Sequence, residues 1–261
     1  MNYDTQPDAF TWLPSPAPGM RQAELCDRVR ALFTARPGGM SSGQFATLNL
    51  SHSVGDDQAA VEANREVVLG ALGDGPTALA WMRQVHGAAV VCASPSTPGR
   101  QSQEADAMFT RSPELALAVN VADCAPVLLA DPKARLVGTA HAGRPGMAAG
   151  VVPALVAAMV DAGAEPAGMH ALVGPSICGR CYEVPARMRD EVADLVPGSA
   201  CVTRKGTPGI DLRAGLHGQL ARAGIPAIAD DLRCTAESSE LYSYRRDGHT
   251  GRFAGLIWLT A

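Results

Sequence analysis

The sequence predicts an α/β (α+β) fold on three observations. Short apolar runs are bounded by turn signals, amphipathic stretches are interspersed between them, and the composition favours small side chains. Of 261 residues, 47% are hydrophobic and 18% charged, the balance of a folded chain rather than a disordered one. Aromatic residues make up only 5%, so Ala, Val, Leu and Gly must fill the core.

Taken in order, residues 1–20 are Pro-rich and polar and read as an irregular N-terminal arm, and the chain length suits one or two domains. Arg21 to Ala35 reads as a short helix or a strand. Phe45 to Leu50 reads as extended. Val54-Gly55-Asp56-Asp57 is a turn with a helix N-cap, and Val61, Val67, Val68 and Ala71 continue it as an amphipathic helix. Leu79 to Val85 and Ala88 to Ala93 are strand-like around His86-Gly87, followed by a turn at Pro95 to Gly99. Leu115 to Val121, Pro126 to Ala130 and Leu136 to Ala140 are apolar and suit strands. Gly146 to Ala162 is helical, with Pro153 in its first turn or at a kink. Ala171 to Val173 leads into Gly174-Pro175. Helices follow over Ala186 to Leu195 and after Ile210-Asp211-Leu212, the latter stopped by Gly224. Phe253 to Leu259 is a last strand.

Bulk properties exclude several partners. A net charge of −4 gives no basic surface for nucleic acid. No run of about 18 uncharged apolar residues is present, so no membrane span is expected. The N-terminal residues lack the basic start and apolar core of a secretory signal. Seven cysteines, an odd number scattered along the chain, do not form a disulfide framework, and a reducing cytoplasm is the expected setting.

Three segments share one design: an apolar run ending in a metal-ligand side chain beside a small residue. They are Met82-Arg83-Gln84-Val85-His86-Gly87, Val121-Ala122-Asp123-Cys124-Ala125-Pro126 and Gly138-Thr139-Ala140-His141-Ala142-Gly143. Strand ends are stiff, and a neighbouring Gly or Ala leaves room for a ligand. Two imidazoles and one thiolate suit zinc and leave a fourth position for water, the catalytic rather than the structural arrangement. The spacing of the trio is not a local zinc signature. Cys124 and the histidines also read as ordinary core residues, or as a Cys-His nucleophile and base.

The motifs QVHG (84–87), ADAMFT (105–110), VADCAPVLLAD (121–131), HAG (141–143), GPSICGRCYEV (174–184) and SYRRDGHTGR (243–252) occur in this order, preceded by LNLSHSVGDD (48–57). Together they resemble the bacterial laccase-domain family, also called multicopper polyphenol oxidoreductase, peptidoglycan editing factor and purine nucleoside phosphorylase. The resemblance covers nearly all of the chain after about residue 40. It implies one catalytic domain over residues 21–261, with a layered mixed-sheet α/β fold akin to cytotoxic-necrotizing-factor-like cysteine hydrolases. It also implies zinc held by His86, Cys124 and His141, phosphorolysis of adenosine, inosine and methylthioadenosine, and deamination of adenosine. The implied partners are thus a purine nucleoside and phosphate.

Copper could replace zinc at such a site. Six histidines without a His-x-His pair do not supply a multicopper centre. Arg65, Arg245, Arg246 and Arg252 are candidates for an anion site, because guanidinium pairs with phosphate bidentately. Each equally reads as a structural arginine. Asn49 and Gln84 are candidate substrate hydrogen bonders, and Asn49 also suits a turn. The family reads HAGWRG where this chain has His141-Ala142-Gly143-Arg144-Pro145-Gly146, which places Arg144 one position early. Cys178-Gly179-Arg180-Cys181 is a C-x-x-C without a second pair in the sequence. Asp123 is placed to orient a ligand or to accept backbone hydrogen bonds. Two rival readings remain open: a Cys124-dependent amidase or peptidase acting on cell-wall precursors, and a metal-binding module without turnover.

Overall fold

A strand whose two faces are both buried has no polar side to alternate with, and several strands here are unbroken apolar runs for that reason. The computed structural model describes residues 10–73, 75–95 and 104–260. In chain order the elements are β1 (Thr11–Trp12), β2 (Met20–Cys26), β3 (Val29–Thr34), α1 (Gln58–Ala71), β4 (Ala78–Ala80), β5 (Val90–Cys92) and β6 (Ala107–Thr110). Then come β7 (Leu115–Val121), β8 (Ala125–Asp131), β9 (Leu136–Ala142), α2 (Arg144–Ala148), α3 (Val151–Asp161), β10 (His170–Val173) and α4 (Ala186–Leu195). The chain ends with β11 (Ala200–Val202), β12 (Pro208–Ile210), α5 (Leu212–Arg222), β13 (Ala227–Asp230), α6 (Tyr244–Asp247) and β14 (Phe253–Leu259).

Two six-stranded sheets carry the fold, ordered β1-β2-β3-β14-β7-β4 and β13-β10-β8-β9-β6-β5. Most neighbours are antiparallel; β4 with β7, β5 with β6 and β10 with β13 are parallel. Alternate residues of each central strand point into different cores. Along β14, Phe253, Ile257 and Leu259 face the space between the sheets, while Ala254, Leu256 and Trp258 face α1. Along β8, Leu128 and Ala130 face the first sheet, while Val127 and Leu129 face α2, α3 and α5. The layers therefore run helix, sheet, sheet, helix, a mixed α/β architecture as the sequence predicts.

The sheets approach closely where side chains are absent. A Cβ on Gly174 would lie 2.3 Å from Phe33 Cε1 and 2.6 Å from Pro126 Cγ, and one on Gly255 would lie 2.8 Å from Pro126 Cβ. Only glycine permits that contact.

The undecided stretch from Arg21 to Ala35 lies in two paired strands, β2 and β3. Within the arm, Thr11 and Trp12 pair with β2; residues 1–9, like 96–99 of the expected turn, lie outside the described set. The strand expected over Leu79 to Val85 stops at Ala80, because the backbone N–H groups of Val85, His86 and Gly87 turn towards the carboxylate of Asp106. The segment expected as extended over Phe45 to Leu50 begins in a 3₁₀ turn, Gly43–Phe45. The helix expected over Gly146 to Ala162 is two helices, broken at Gly150 with φ of 81°, and Pro153 sits in the first turn of the second.

Candidate metal centre

Cys124 stands where the chain crosses between layers. It leaves the first sheet at Val121 and enters the second at Ala125. β8 and β9 pair with Pro126 opposite His141, which sets Cys124 beside His141 without any help from sequence proximity. His86 reaches the same point from the bend after β4. A sulfur from Cys124 and a ring nitrogen from each histidine lie within 4.8 Å of one another. The two imidazoles meet edge to face, with ring centroids 4.7 Å apart. Gly143 completes the cradle, since a Cβ there would lie 2.6 Å from Cys124 Sγ.

The backbone is strained at this point. His86 and Asp123 have φ of 62° and 100°, in the region that favours glycine. Hydrogen bonds hold both. Asp106, fully buried, accepts from the N–H groups of Val85 (3.1 Å), His86 (2.9 Å) and Gly87 (2.7 Å), and its Oδ1 lies 2.8 Å from His141 Nδ1. Asp123 accepts from Thr235 Oγ1 (2.6 Å), Ser243 Oγ (2.7 Å) and the N–H of Arg245 (2.6 Å). In the neutral ring, a proton on His141 Nδ1, shared with Asp106, leaves Nε2 as the nitrogen available to a metal.

Electrostatics couple the three groups. Burial alone would raise the Cys124 thiol, yet His141 and the hydrogen bonds from both histidines draw it down to about 6. Burial alone would lower His141, yet Cys124 and Asp106 push it up to about 9. Burial opposes the charge on Asp106 too, but the bonds from His141 and the Gly87 N–H hold it below the usual carboxylate range. One cysteine sulfur beside two histidine nitrogens is a donor set that fits a zinc ion, with soft sulfur and borderline nitrogen at one point.

The trio opens onto a cavity of about 520 Å³, within the range of small-molecule sites. Gln84, Arg144, Tyr182, Tyr244, Arg245 and Arg252 share its lining. Arg245 lies over the Tyr182 ring at 4.9 Å, and its Nη1 donates to the Glu183 carbonyl (2.7 Å). Arg252 Nη1 donates to the carbonyls of Thr250 and Gly251.

The remaining candidates from the sequence are engaged by the protein's own polar groups. Asn49 is fully buried, and its amide bonds Asp56, the Ser51 backbone and the Arg252 N–H, which closes a turn rather than reaching the cavity. Arg65 is buried too. It donates twice to the Leu50 carbonyl and stacks on Trp81, and burial lowers it to about 10. Gln84 lines the cavity but exchanges both amide bonds with the Asn120 backbone. Arg246 binds the carbonyls of Thr235, Ser238 and Leu241. Asp106, held in the ADAMFT motif, is the residue that sequence reasoning left without a role of its own.

Known proteins resemble this chain over most of its length. It is 51% identical over 227 residues to a purine nucleoside phosphorylase of Streptomyces coelicolor, covering 87% of this chain and 94% of that protein. It is 46% identical over 232 residues to one of Mycobacterium tuberculosis, covering 89% and 92%. Among solved structures, a Neisseria meningitidis protein superposes with a TM-score of 0.82 at 36% identity, covering 97% of this chain and 99% of that one. The hypothetical protein YfiH of Bacillus licheniformis superposes with 0.86 at 31% identity, covering 97% and 100%. Residues 30–260, which include His86, Asp106, Cys124 and His141, match the family described as multi-copper polyphenol oxidoreductase laccase, and the chain belongs to that family.

Proposed function

We propose that this protein is a purine nucleoside phosphorylase that also deaminates adenosine, with zinc held by His86, Cys124 and His141. One observation carries the reading: the trio converges at the wall of a cavity that also holds guanidinium and aromatic groups. The name borne by its relatives agrees with it.

Each group has a task. Asp106 holds His141 so that one nitrogen faces the donor cluster, and it fixes the bend that carries His86. Zinc in that position supplies Lewis acidity, useful both for charge on a departing base and for activating water. Arg144 and Arg245 flank Tyr182 and give phosphate a bidentate anchor. Tyr182, Ile177 and Met82 give the purine an apolar and aromatic wall. In phosphorolysis a phosphate oxygen bonds to the sugar C1′ while the bond to the base breaks and its electron pair leaves with the purine. In deamination water adds at C6 and ammonia leaves, the route of zinc nucleobase deaminases. Arg144 substitutes, in this reading, for the arginine one position later in the family motif.

The test is incubation with adenosine, with and without phosphate. Adenine and ribose 1-phosphate are expected only with phosphate, and inosine under both conditions. Cys124→Ala is expected to abolish all three products. Absence of any product that this substitution removes would overturn the reading.

A second reading follows from the order Cys124, His141, Asp106, which is that of a thiol nucleophile, its base and an orienting carboxylate. It makes the protein an amidase or peptidase. A metal-free, chelator-insensitive protein inactivated by a thiol reagent would favour it. Elemental analysis of the same sample separates zinc from copper.

A further inference from the structure

The C-x-x-C at residues 178–181 gains a second half from the fold. β10 and β13 are parallel neighbours, and the loops after them run side by side. Ser176 N–H donates to the Arg233 carbonyl at 3.3 Å, and Thr235 N–H to the Ser176 carbonyl at 3.2 Å. Each loop then closes a tight turn. The N–H groups of Cys181 and Tyr182 donate to the Cys178 carbonyl, and those of Glu237 and Ser238 donate to the Cys234 carbonyl. The first turn carries Cys178-x-x-Cys181 and the second carries Cys234-x-x-Glu237.

Three sulfurs and a carboxylate oxygen from these turns lie within 4.8 Å of one another. The cysteines are free, Cys234 is buried, and Cys178 and Cys181 are half-buried. The N–H of Cys178 donates to Cys234 Sγ at 3.4 Å. Arg204 Nη2 lies 3.0 Å from Cys181 Sγ and pairs with Glu237.

Paired turns that each present ligands three residues apart are the way structural zinc sites are built. A zinc–sulfur bond of about 2.3 Å puts tetrahedral sulfurs ~3.8 Å apart, so a closure of about 1 Å suffices. Three thiolates and a carboxylate leave a zinc site with excess negative charge, and Arg204 stands where it offsets that charge.

We propose that Cys178, Cys181, Cys234 and Glu237 form a second metal centre, a closed structural site for zinc, separate from His86, Cys124 and His141. Four protein ligands leave no position for water, so this centre binds and holds rather than reacts. It fastens two walls of the cavity together. Ile177 and Tyr182, which line the cavity, flank the first turn, and Thr235 in the second loop donates to Asp123 at 2.6 Å.

Zinc content of the full chain, purified without chelator, tests this. Cys178→Ser/Cys181→Ser is expected to lose about one zinc per chain relative to the parent, and Cys124→Ala is expected to keep that zinc. Should the double variant fail to fold, X-ray absorption of the unsubstituted protein decides. Two filled centres average about two sulfurs per zinc, and the second centre filled alone gives about three. One sulfur per zinc, zinc that Cys124→Ala removes entirely, or a non-reduced intact mass lighter by two hydrogens would each overturn the proposal. None of these readouts uses nucleoside turnover, so the outcome is independent of the phosphorylase reading.

Discussion

The carboxylate of Asp106 gathers three backbone N–H groups and the Nδ1 of His141, all while fully buried. An amide in its place would turn an N–H₂ towards groups that donate, leaving buried donors facing one another. Asp106→Asn is therefore expected to weaken zinc binding about 10–100-fold, the usual effect of losing a residue that orients a ligand. Competition with a chromophoric chelator measures it, and unchanged affinity would show that His141 needs no orienting partner. Cys124, His86 and His141, which the fold brings together, stood out in the sequence because each is a ligand-type side chain beside a small residue and lies in one of the family's motifs. The work of Asp106 did not, because its partners are 19 to 35 residues away. Arg65 and Asn49 mark the opposite case. Both carry the right chemistry for a substrate, but burial and backbone carbonyls had already claimed them.

At the scale of elements, the crossing from β7 to β8 and the helix α6 are joined by Asp123. Its carboxylate accepts from Thr235, Ser243 and the N–H of Arg245, and Ser243 caps α6. Asp123→Ala leaves these donors without that acceptor. A loss of about 1–3 kcal/mol in unfolding free energy is expected, with faster proteolytic cutting near residues 243–252. Denaturant titration and limited digestion check the two halves separately, and unaltered cutting would show that α6 is held from elsewhere. The long apolar strands and α1 were legible because periodicity and an Asp57 cap mark them. β5 and β6 were shortened or unmarked because parallel edge pairing supplies what their few residues cannot signal. α6 was unmarked because four residues are too few for a periodic pattern.

Over the whole molecule, the site depends on how closely two sheets approach. Gly174 and Gly255 face Phe33 and Pro126 across that interface, with no room for a methyl group. Gly174→Ala is expected to cost about 1–3 kcal/mol through overpacking, read as a lower denaturation midpoint with unchanged slope. A neutral result would mean that the sheets can separate without loss. The mixed α/β class was legible because strands buried on both faces demand covering layers. The number of layers was not, since an apolar run reads the same whether a helix or a second sheet lies against it.

The sequence by itself marked which residues offer metal-ligand side chains and where the long apolar strands run, since both depend on residue type and short-range pattern. Tertiary structure alone decided which of those residues meet. It drew His86, Cys124 and His141 together across a sheet crossing, set Arg65 and Asn49 apart from the cavity, and brought Cys234 and Glu237 to the lone C-x-x-C. The physical reason is that ligand geometry and burial are set by contacts between distant strands, and spacing along the chain carries no record of them.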